Sequence, residues 1–204
     1  IEECPKIIVR MISVLEWVGA TDKTGAEKQE ICDRLAALIN EGFPITVVAE
    51  TPNYAQHLST LLGHSILVAP YPPMYERDPI PAGRSTFTVS ALGSARFDKG
   101  YLDLLEIFRT TVLTDPETSY RFRVQTLPNG LGSNHLKYTS ALSAIPGVTL
   151  LRPYLSSEEL LQEILQSDVL IGPYAPDVYK LRGSAMLMEA ISTGRPFLSY
   201  TGCG

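Results

Sequence analysis

The sequence is short of cysteine, histidine and net positive charge, and each shortage excludes a class of function. The 204 residues include only 3 cysteines and 3 histidines. Cys4, Cys32 and Cys203 are odd in number and far apart, so they give neither a disulfide framework nor zinc-ligand spacing, and they suggest a reducing, cytoplasmic setting. The net charge of −5 provides no basic footprint for nucleic acid, and no run of lysine and arginine is available to bind an acidic membrane.

Long apolar runs are missing as well. No stretch approaches the roughly 18 residues of a membrane span, and the sequence Ile-Glu-Glu at the start does not begin a signal peptide. We therefore expect a protein without an integral membrane segment, in the cytoplasm and either free or peripheral to the membrane. Hydrophobic residues make up 45% of the chain, enough for one large core or two small ones. Because the chain begins without Met and stops at Gly204, we expect both ends of the natural protein to be missing.

In residues 1–70, short apolar runs typical of strands alternate with longer helical patterns. A helix is predicted from Thr24, which has the capping-box spacing with Glu27, to Gly42. A second helix is predicted from Thr51-Pro52 to Gly63, because Pro at the first helical position and Gly after the last mark helix ends. The first helix has these apolar residues on one face: Ile31, Leu35, Leu38 and Ile39. The predicted strands are Ile7–Ile12, Ile45–Ala49 and Ile66–Ala69.

A proline-rich segment then interrupts the alternation. The run PYPPMYERDPIP contains five prolines, each of which lacks a backbone donor and restricts the residue before it. We predict an interdomain linker at 71–83, between an N-terminal α/β part at 1–70 and a second domain at 84–204.

The alternation restarts after the linker. Ser156 and Glu159 have the spacing of another capping box and open a helix that runs to Gln166. The other predicted helices are Tyr101–Leu113, Ser133–Ile145 and Gly183–Thr193. The predicted strands are Phe87–Leu92, Arg121–Thr126, Val148–Leu151, Val169–Ile171 and Pro196–Ser199. This order predicts an α/β fold with a doubly wound, Rossmann-like parallel sheet, which binds ligands in the crevice beyond the carboxyl ends of its strands.

The first candidate site is the loop SALGSARFDKGY, residues 90–101, which joins the first strand of the second domain to its helix. Two glycines allow a close backbone approach, and Arg96 and Lys99 place two cations before a helix. Cations are unfavourable at a helix N-terminus, where acids gain roughly 0.3–1 kcal/mol. A bound phosphate would remove the conflict; the alternative is that both are solvated loop charges with Asp98 as the nearest counter-ion.

The second candidate site is the helix predicted over Gly183–Thr193. The amides of Ser184 and Ala185 would be among its unpaired N-terminal donors and would form a second anion site. The helix is apolar on every side except at Glu189, so we expect it to be buried. A buried carboxylate is costly unless it is paired. A ribose diol is a suitable partner for it, and a salt bridge to Arg182 is the alternative.

These two segments resemble those of GT-B glycosyltransferases, family 4 and its relatives. SALGSARFDKGYLDLL is similar to their glycine-rich loop with Arg and then Lys-Gly. YKLRGSAMLMEAISTGRPFLSY is similar to their helix reading Ser/Gly-x-x-x-x-Glu-Ala-x-x-x-Gly-x-Pro. The resemblance implies that Arg96 and Lys99 contact a donor diphosphate together with the amides of Ser184 and Ala185, and that Glu189 contacts the ribose.

The same resemblance extends to the rest of the chain. It implies that the backbone around Pro153 and Tyr154 contacts the base of the nucleotide. It also implies that residues 84–204 form the donor-binding half of a GT-B fold, and that residues 1–70 are the last part of the acceptor-side domain. The implied activity is transfer of a sugar from a nucleotide-diphosphate sugar to an unknown glycan, lipid or small-molecule acceptor. No cofactor and no metal are expected, since the sequence has no Asp-x-Asp. Many retaining members carry a second Glu where this chain has Leu181, so the stereochemistry stays open.

Two other functions stay open at this point, and we assign no catalytic residue. One is a non-catalytic nucleotide-binding or assembly module; the other is a nucleotide-sugar epimerase of the same architecture, which generally needs acids and histidines in its cleft. Gly130-Leu131-Gly132 lacks the third glycine of a dinucleotide fingerprint, so we predict a plain loop. Structural or surface roles are predicted for the histidines, which are His57, His64 and His135.

Overall fold

The computed structural model describes residues 6–11, 23–70, 72, 85–128 and 134–203. The chain divides into two compact units. Unit 1 consists of Ile1–Pro72, Asp177–Ser184 and Gly202–Gly204; unit 2 consists of Pro73–Pro176 and Ala185–Thr201. The segment Asp177–Ser184, which the sequence assigned to the second domain, therefore clusters with unit 1. The predicted linker at 71–83 lies outside the described residues except for Pro72.

Unit 1 contains a three-stranded parallel sheet in the order β1-β2-β3. Its strands and helices are β1 (Ile7–Met11), α1 (Lys23–Asn40), β2 (Ile45–Ala49), α2 (Pro52–Leu62) and β3 (Leu67–Val68). All five predicted elements of this region are present, with bounds that differ by a few residues, as helix and strand ends commonly do. Ile12, the last residue of the first predicted strand, lies outside the described residues.

The predicted ends of α2 are confirmed. The Thr51 side chain accepts a hydrogen bond from the Tyr54 amide at 3.2 Å, which satisfies one of the donors that a helix N-terminus leaves unpaired. Pro52 occupies the first turn, and Gly63 ends the helix in the left-handed conformation with φ of 68°. Its amide donates to the Ser59 carbonyl, so both ends of α2 are set by local chemistry.

The predictions about α1 are confirmed in part. The described helix starts at Lys23, one residue before Thr24, and a capping role of Thr24 stays a prediction. Of the predicted apolar face, Leu35 and Ile39 pack against the core of unit 1, whereas Ile31 and Leu38 are 48% and 40% exposed. Cys32 and Ala36 complete the buried stripe, which has the spacing of one helical face.

Unit 2 contains a five-stranded sheet with the order β10-β9-β4-β6-β8, in which every pairing is parallel. The strands of unit 2 are β4 (Phe87–Ala91), β5 (Ser94–Ala95), β6 (Tyr120–Gln125), β7 (Leu127–Pro128), β8 (Val148–Leu151), β9 (Val169–Ile171) and β10 (Phe197–Leu198). β5 and β7 form a separate two-stranded pair. The remaining helices are α3 (Asp103–Thr114), α4 (Asn134–Ser143), α5 (Ser157–Gln166), α6 (Pro176–Tyr179) and α7 (Ala185–Ser192).

The strand order confirms the predicted doubly wound fold. In chain order, the sheet starts at the central strand β4, extends through β6 and β8 to one side, and then continues through β9 and β10 on the other. α3 and α4 pack on one face around the stacked rings of Phe108 and Phe122, whose centroids are 4.3 Å apart. α5 and α7 pack on the opposite face through Ile164 and Ala190. The direction reverses between β4 and β9, the point at which such sheets bind ligands.

The prediction that α7 is buried on all sides is wrong. The helix faces the sheet through Met186 and Ala190, but Ile191 is 61% exposed. A helix that packs against one layer buries only one stripe, so the apolar residues of α7 outside that stripe stay accessible. The short helix α6, which begins at Pro176, was not predicted from the sequence.

No helix in the described ranges is long and apolar enough to cross a membrane.

Candidate functional site

A pocket opens in unit 2 at the carboxyl ends of β4 and β9, where the strand order reverses. The loops after these two strands form its rim, and the end of β6 closes it. Polar or conformationally special residues in its lining are Gly93, Lys99, Gln125, Gly172 and Tyr174. The cavity lies where the sequence predicted a ligand, but its volume is about 20 Å³, which is room for about one water.

Lys99 is a predicted site residue that lines this pocket. The backbone of the loop turns at Gly93, whose φ of +109° is a conformation that other residues rarely adopt. A side chain at Gly93 would place its Cβ 3.2 Å from the Lys99 ammonium nitrogen. The glycine thus keeps room for the lysine head group.

The loop that carries Lys99 is fixed against the loop after β9. Gly100 has a φ of +65°, and a Cβ there would lie 1.9 Å from the Pro173 carbonyl oxygen. No side chain fits in that gap. The Ala175 amide also donates a 2.9 Å hydrogen bond to the Asp98 carbonyl. These contacts hold the short 3-10 helix Phe97–Lys99 in place beside the pocket.

Arg96, the second predicted cation, has a different environment. Its guanidinium forms a two-pronged ion pair with Asp98, with 2.8 Å between Nε and Oδ1 and a second contact between Nη2 and Oδ2. The side chain is 29% exposed, and it is not part of the pocket lining. Asp98 is the counter-ion that the sequence suggested as the alternative to phosphate. A diphosphate contact by Arg96 stays a prediction.

Gln125 belongs to the site although sequence reasoning did not select it. Its Oε1 accepts a 2.7 Å hydrogen bond from the Gly93 amide, and its Nε2 donates a 2.8 Å hydrogen bond to the Pro153 carbonyl. The side chain is buried and lines the pocket. The predicted strand Arg121–Thr126 also contains Arg121, Arg123 and Thr126, so a further polar residue near its end gave no distinct signal.

Pro153 and Tyr154, predicted to meet a base, lie on the loop that follows β8. The Pro153 carbonyl is the acceptor for Gln125, and the Tyr154 side chain is 76% exposed. Neither residue lines the pocket, so their contact with a base stays a prediction.

Glu189, predicted to bind ribose, is buried on α7 with only 6% of its surface exposed. Within the part of the chain that the structure describes, its Oε2 atom has no hydrogen-bond partner. Burial removes the water that would solvate the carboxylate, and this raises the pKa of Glu189 above its ordinary value. A buried carboxylate oxygen without a partner indicates that a donor is needed there.

Ser184 and Ala185 were predicted to offer amides to a phosphate. Ala185 is the first residue of α7, within unit 2, whereas Ser184 ends the segment that clusters with unit 1. Binding of an anion by these amides stays a prediction.

The segment Asp177–Ser184 is attached to the start of α2 within unit 1. The Thr51 hydroxyl donates to the Leu181 carbonyl, and the Asn53 amide donates to the Lys180 carbonyl, both at 3.3 Å. The Leu181 side chain packs against the apolar core of unit 1. The residue that replaces the second Glu of the resembled family thus has a packing partner.

The three histidines considered in the sequence each have separate contacts. His64 contacts the Asn40 side chain at 3.1 Å, and the rings of His57 and His135 stack on Tyr54 and Tyr101. In the part of the chain that the structure describes, no three His, Cys, Asp or Glu side chains converge as metal ligands. Gly130-Leu131-Gly132 lies outside the described residues.

Comparison with solved structures identifies the fold. The crystal structure of TarM matches 96% of this chain with a TM-score of 0.61 and 16% sequence identity. A mutant TarM from S. aureus, in complex with Fondaparinux, alpha-GlcNAc-glycerol and UDP, matches the same share with a TM-score of 0.61 and 14% identity. This chain spans only 36% of the length of those proteins. No protein-family model and no curated protein matches the sequence.

TarM is a GT-B glycosyltransferase, and the chain shares the GT-B fold with it. The resemblance that the sequence suggested is thereby confirmed at the level of the fold. Unit 2 is a Rossmann-like half of that fold.

Proposed function

We propose that this chain provides the donor site of a glycosyltransferase, which transfers a sugar from a nucleotide-diphosphate sugar to a glycan, lipid or small-molecule acceptor. The observation that carries the proposal is the position of Lys99 beside Gly93 in unit 2, at the reversal of strand order. A nucleotide diphosphate needs a cation, and Lys99 provides one on the loop after β4. The Gly93 amide already donates to Gln125, so it is not assigned to the phosphate.

The diphosphate is assigned to Lys99 and Arg96, together with the Ser184 and Ala185 amides at the start of α7. As the glycosidic bond breaks, negative charge grows on the leaving nucleoside diphosphate. Cations and amides that are already in place stabilise this charge more in the transition state than in the ground state. Since the sequence has no Asp-x-Asp, we assign the neutralisation to these groups and propose a metal-independent reaction.

The ribose is assigned to Glu189. Its Oε2 lacks a partner in a buried position, and ribose hydroxyls are donors that would satisfy it. The base is assigned to the backbone around Pro153 and Tyr154, on the loop after β8. UDP is the first nucleotide to test because it is bound in a complex of the structurally similar TarM.

The proposal is tested by titrating the wild-type chain and two variants with UDP, uridine and inorganic pyrophosphate. Lys99→Ala should weaken binding of UDP and pyrophosphate by roughly ten- to a hundredfold, since it removes a charge-assisted contact, and should spare uridine. Glu189→Gln should weaken UDP and uridine by similar factors and spare pyrophosphate. GDP and ADP with their nucleosides are titrated in parallel, because the base is not fixed by these assignments.

The matched control for the lysine is Lys137→Ala, which removes the same charge from an exposed position on α4. It should leave all three affinities unchanged. Equal losses for uridine and UDP in Lys99→Ala would argue against a phosphate role, and a wild-type chain that binds none of the nucleotides would refute the donor site.

A non-catalytic nucleotide-binding module is the second candidate, and Leu181 favours it. The position carries no carboxylate, and its side chain packs in the core of unit 1. Titration with UDP-glucose and UDP-N-acetylglucosamine separates the two functions. Affinity that depends on the attached sugar supports a transferase, whereas affinity for the nucleotide alone supports a binding module.

A further inference from the structure

Gln125 links three loops of unit 2 at the carboxyl edge of its sheet. It ends β6, and its side-chain amide contacts the loop after β4 at Gly93 and the loop after β8 at Pro153. The first of these loops carries Lys99 and the second carries Tyr154. The two bonds join segments that are 32 and 28 residues from Gln125 in the chain.

A carboxamide can make both contacts because it carries one acceptor and one donor group. The Gly93 amide is a donor and requires an acceptor, while the Pro153 carbonyl is an acceptor and requires a donor. These partners fix the orientation of the amide, with Oε1 toward Gly93 and Nε2 toward Pro153. Because the side chain is 8% exposed, water has little access to replace either bond.

We infer that Gln125 is a positioning residue for the donor site. It holds the loop assigned to the diphosphate and the loop assigned to the base at a fixed separation before the ligand arrives. This role rests on the proposed function. A ligand that contacts both loops binds more tightly when their separation is already fixed, because binding then costs no entropy for ordering one loop against the other. A ligand that touches only one loop gains little.

The inference predicts a pattern of changes in binding affinity that differs from those expected for Lys99→Ala and Glu189→Gln. Gln125→Met preserves the side-chain length and removes both hydrogen bonds. It should weaken UDP binding about tenfold, whereas uridine and inorganic pyrophosphate should each change less than about twofold. If Gln125→Met does not fold, Gln125→Asn keeps the amide but is one methylene too short to reach both partners, and the same pattern is expected.

Thr126→Val is the matched control. The Thr126 hydroxyl donates a 2.8 Å hydrogen bond to the Leu151 carbonyl, so its loss also breaks a buried contact between the ends of β6 and β8. This contact does not involve the loop after β4. Thr126→Val should therefore destabilise the protein without changing the ratio of UDP affinity to uridine and pyrophosphate affinity.

A second measurement tests the link itself in the ligand-free protein. Hydrogen exchange of the Gly93 amide, followed by NMR, should be slow in the wild type, faster by about tenfold or more in Gln125→Met, and unchanged in Thr126→Val. Equal losses for UDP, uridine and pyrophosphate, the same losses in both variants, or unaltered Gly93 exchange would overturn the inference. Absence of nucleotide binding by the wild type would instead refute the donor site, and with it this role, while Gly93 exchange would still report on the link.

Discussion

Glu189 is the residue whose environment conflicts most with its chemistry. Its carboxylate is buried, and no described residue forms a hydrogen bond with one of its oxygens. Burial raises the pKa of Glu189 above the ordinary value of 4.5. The folded state therefore binds a proton more readily than the unfolded state, and stability falls as pH rises from 4.5 through the raised pKa. Below 4.5 both states are protonated and the penalty disappears.

Glu189→Gln should remove this penalty. We expect the variant to be more stable than the wild type by roughly 1 kcal/mol at pH 7, with a difference that shrinks toward zero as the pH is lowered below 4.5. Urea unfolding followed by circular dichroism at pH 4 and pH 7 measures both values. A variant that is less stable than the wild type at pH 7 would show that the carboxylate has a stabilising partner.

Arg96 and Lys99 have different environments because their neighbours differ. Arg96 has Asp98 two residues away, and a planar guanidinium suits a two-pronged pair with a carboxylate. Lys99 is the last residue of the 3-10 helix and lies beside the glycine at 93. The sequence identified the loop and its charges, but the direction of each side chain depends on contacts within the folded loop.

At the scale of elements, the best-predicted feature is the start of α5. The Ser156 side chain accepts from the Glu159 amide at 3.2 Å, and the Glu159 carboxylate accepts from the Ser156 amide at 2.7 Å. An ion pair with Arg152 adds to the second bond, and these contacts lower the pKa of Glu159. All three residues lie within eight positions of the chain, which explains why the sequence alone was sufficient.

Ser156→Ala should cost about 1 kcal/mol of stability, the usual value for loss of an N-cap. The measurement is the midpoint of urea unfolding followed by circular dichroism. Ser140→Ala, on the exposed side of α4, is the control, and it should have no destabilising effect because alanine is the better helix former. A loss in Ser140→Ala that equals the loss in Ser156→Ala would mean that the cap contributes nothing specific.

The apolar face of α1 shows the limit of the same reasoning. Leu35 and Ile39 pack against the core as predicted, whereas Ile31 and Leu38 are exposed and Cys32 and Ala36 take their place. The sequence shows which residues are apolar but not which stripe of a helix meets the sheet.

At the scale of the whole molecule, each unit has its own apolar core. The core of unit 1 surrounds Tyr54 and Leu58, and that of unit 2 surrounds Phe108 and Phe122. All four side chains are at most 1% exposed. Since the two sets of residues do not overlap, each core should respond separately to a change in its own residues.

Phe108→Ala should destabilise unit 2 by roughly 3–5 kcal/mol, because it removes a buried ring and leaves a cavity. Hydrogen exchange should accelerate at the amides of β4 and β6 and stay unchanged at β2. Leu58→Ala is the counterpart in unit 1 and should have the opposite pattern. Faster exchange throughout the chain in both variants would show that the cores unfold as one cooperative structure.

The amino-acid sequence by itself determined the alternation of strands and helices, the parallel sheet with its reversal of order, and the loop that holds Lys99. These features depend on apolar periodicity and on turn and cap residues, whose interactions reach only a few positions along the chain. Tertiary structure alone decided that Gln125 joins Gly93 to Pro153, that α7 leaves Ile191 exposed, and that Asp177–Ser184 packs with unit 1. Each of these depends on contacts between residues far apart in the chain, and a single sequence does not show which distant residues come into contact.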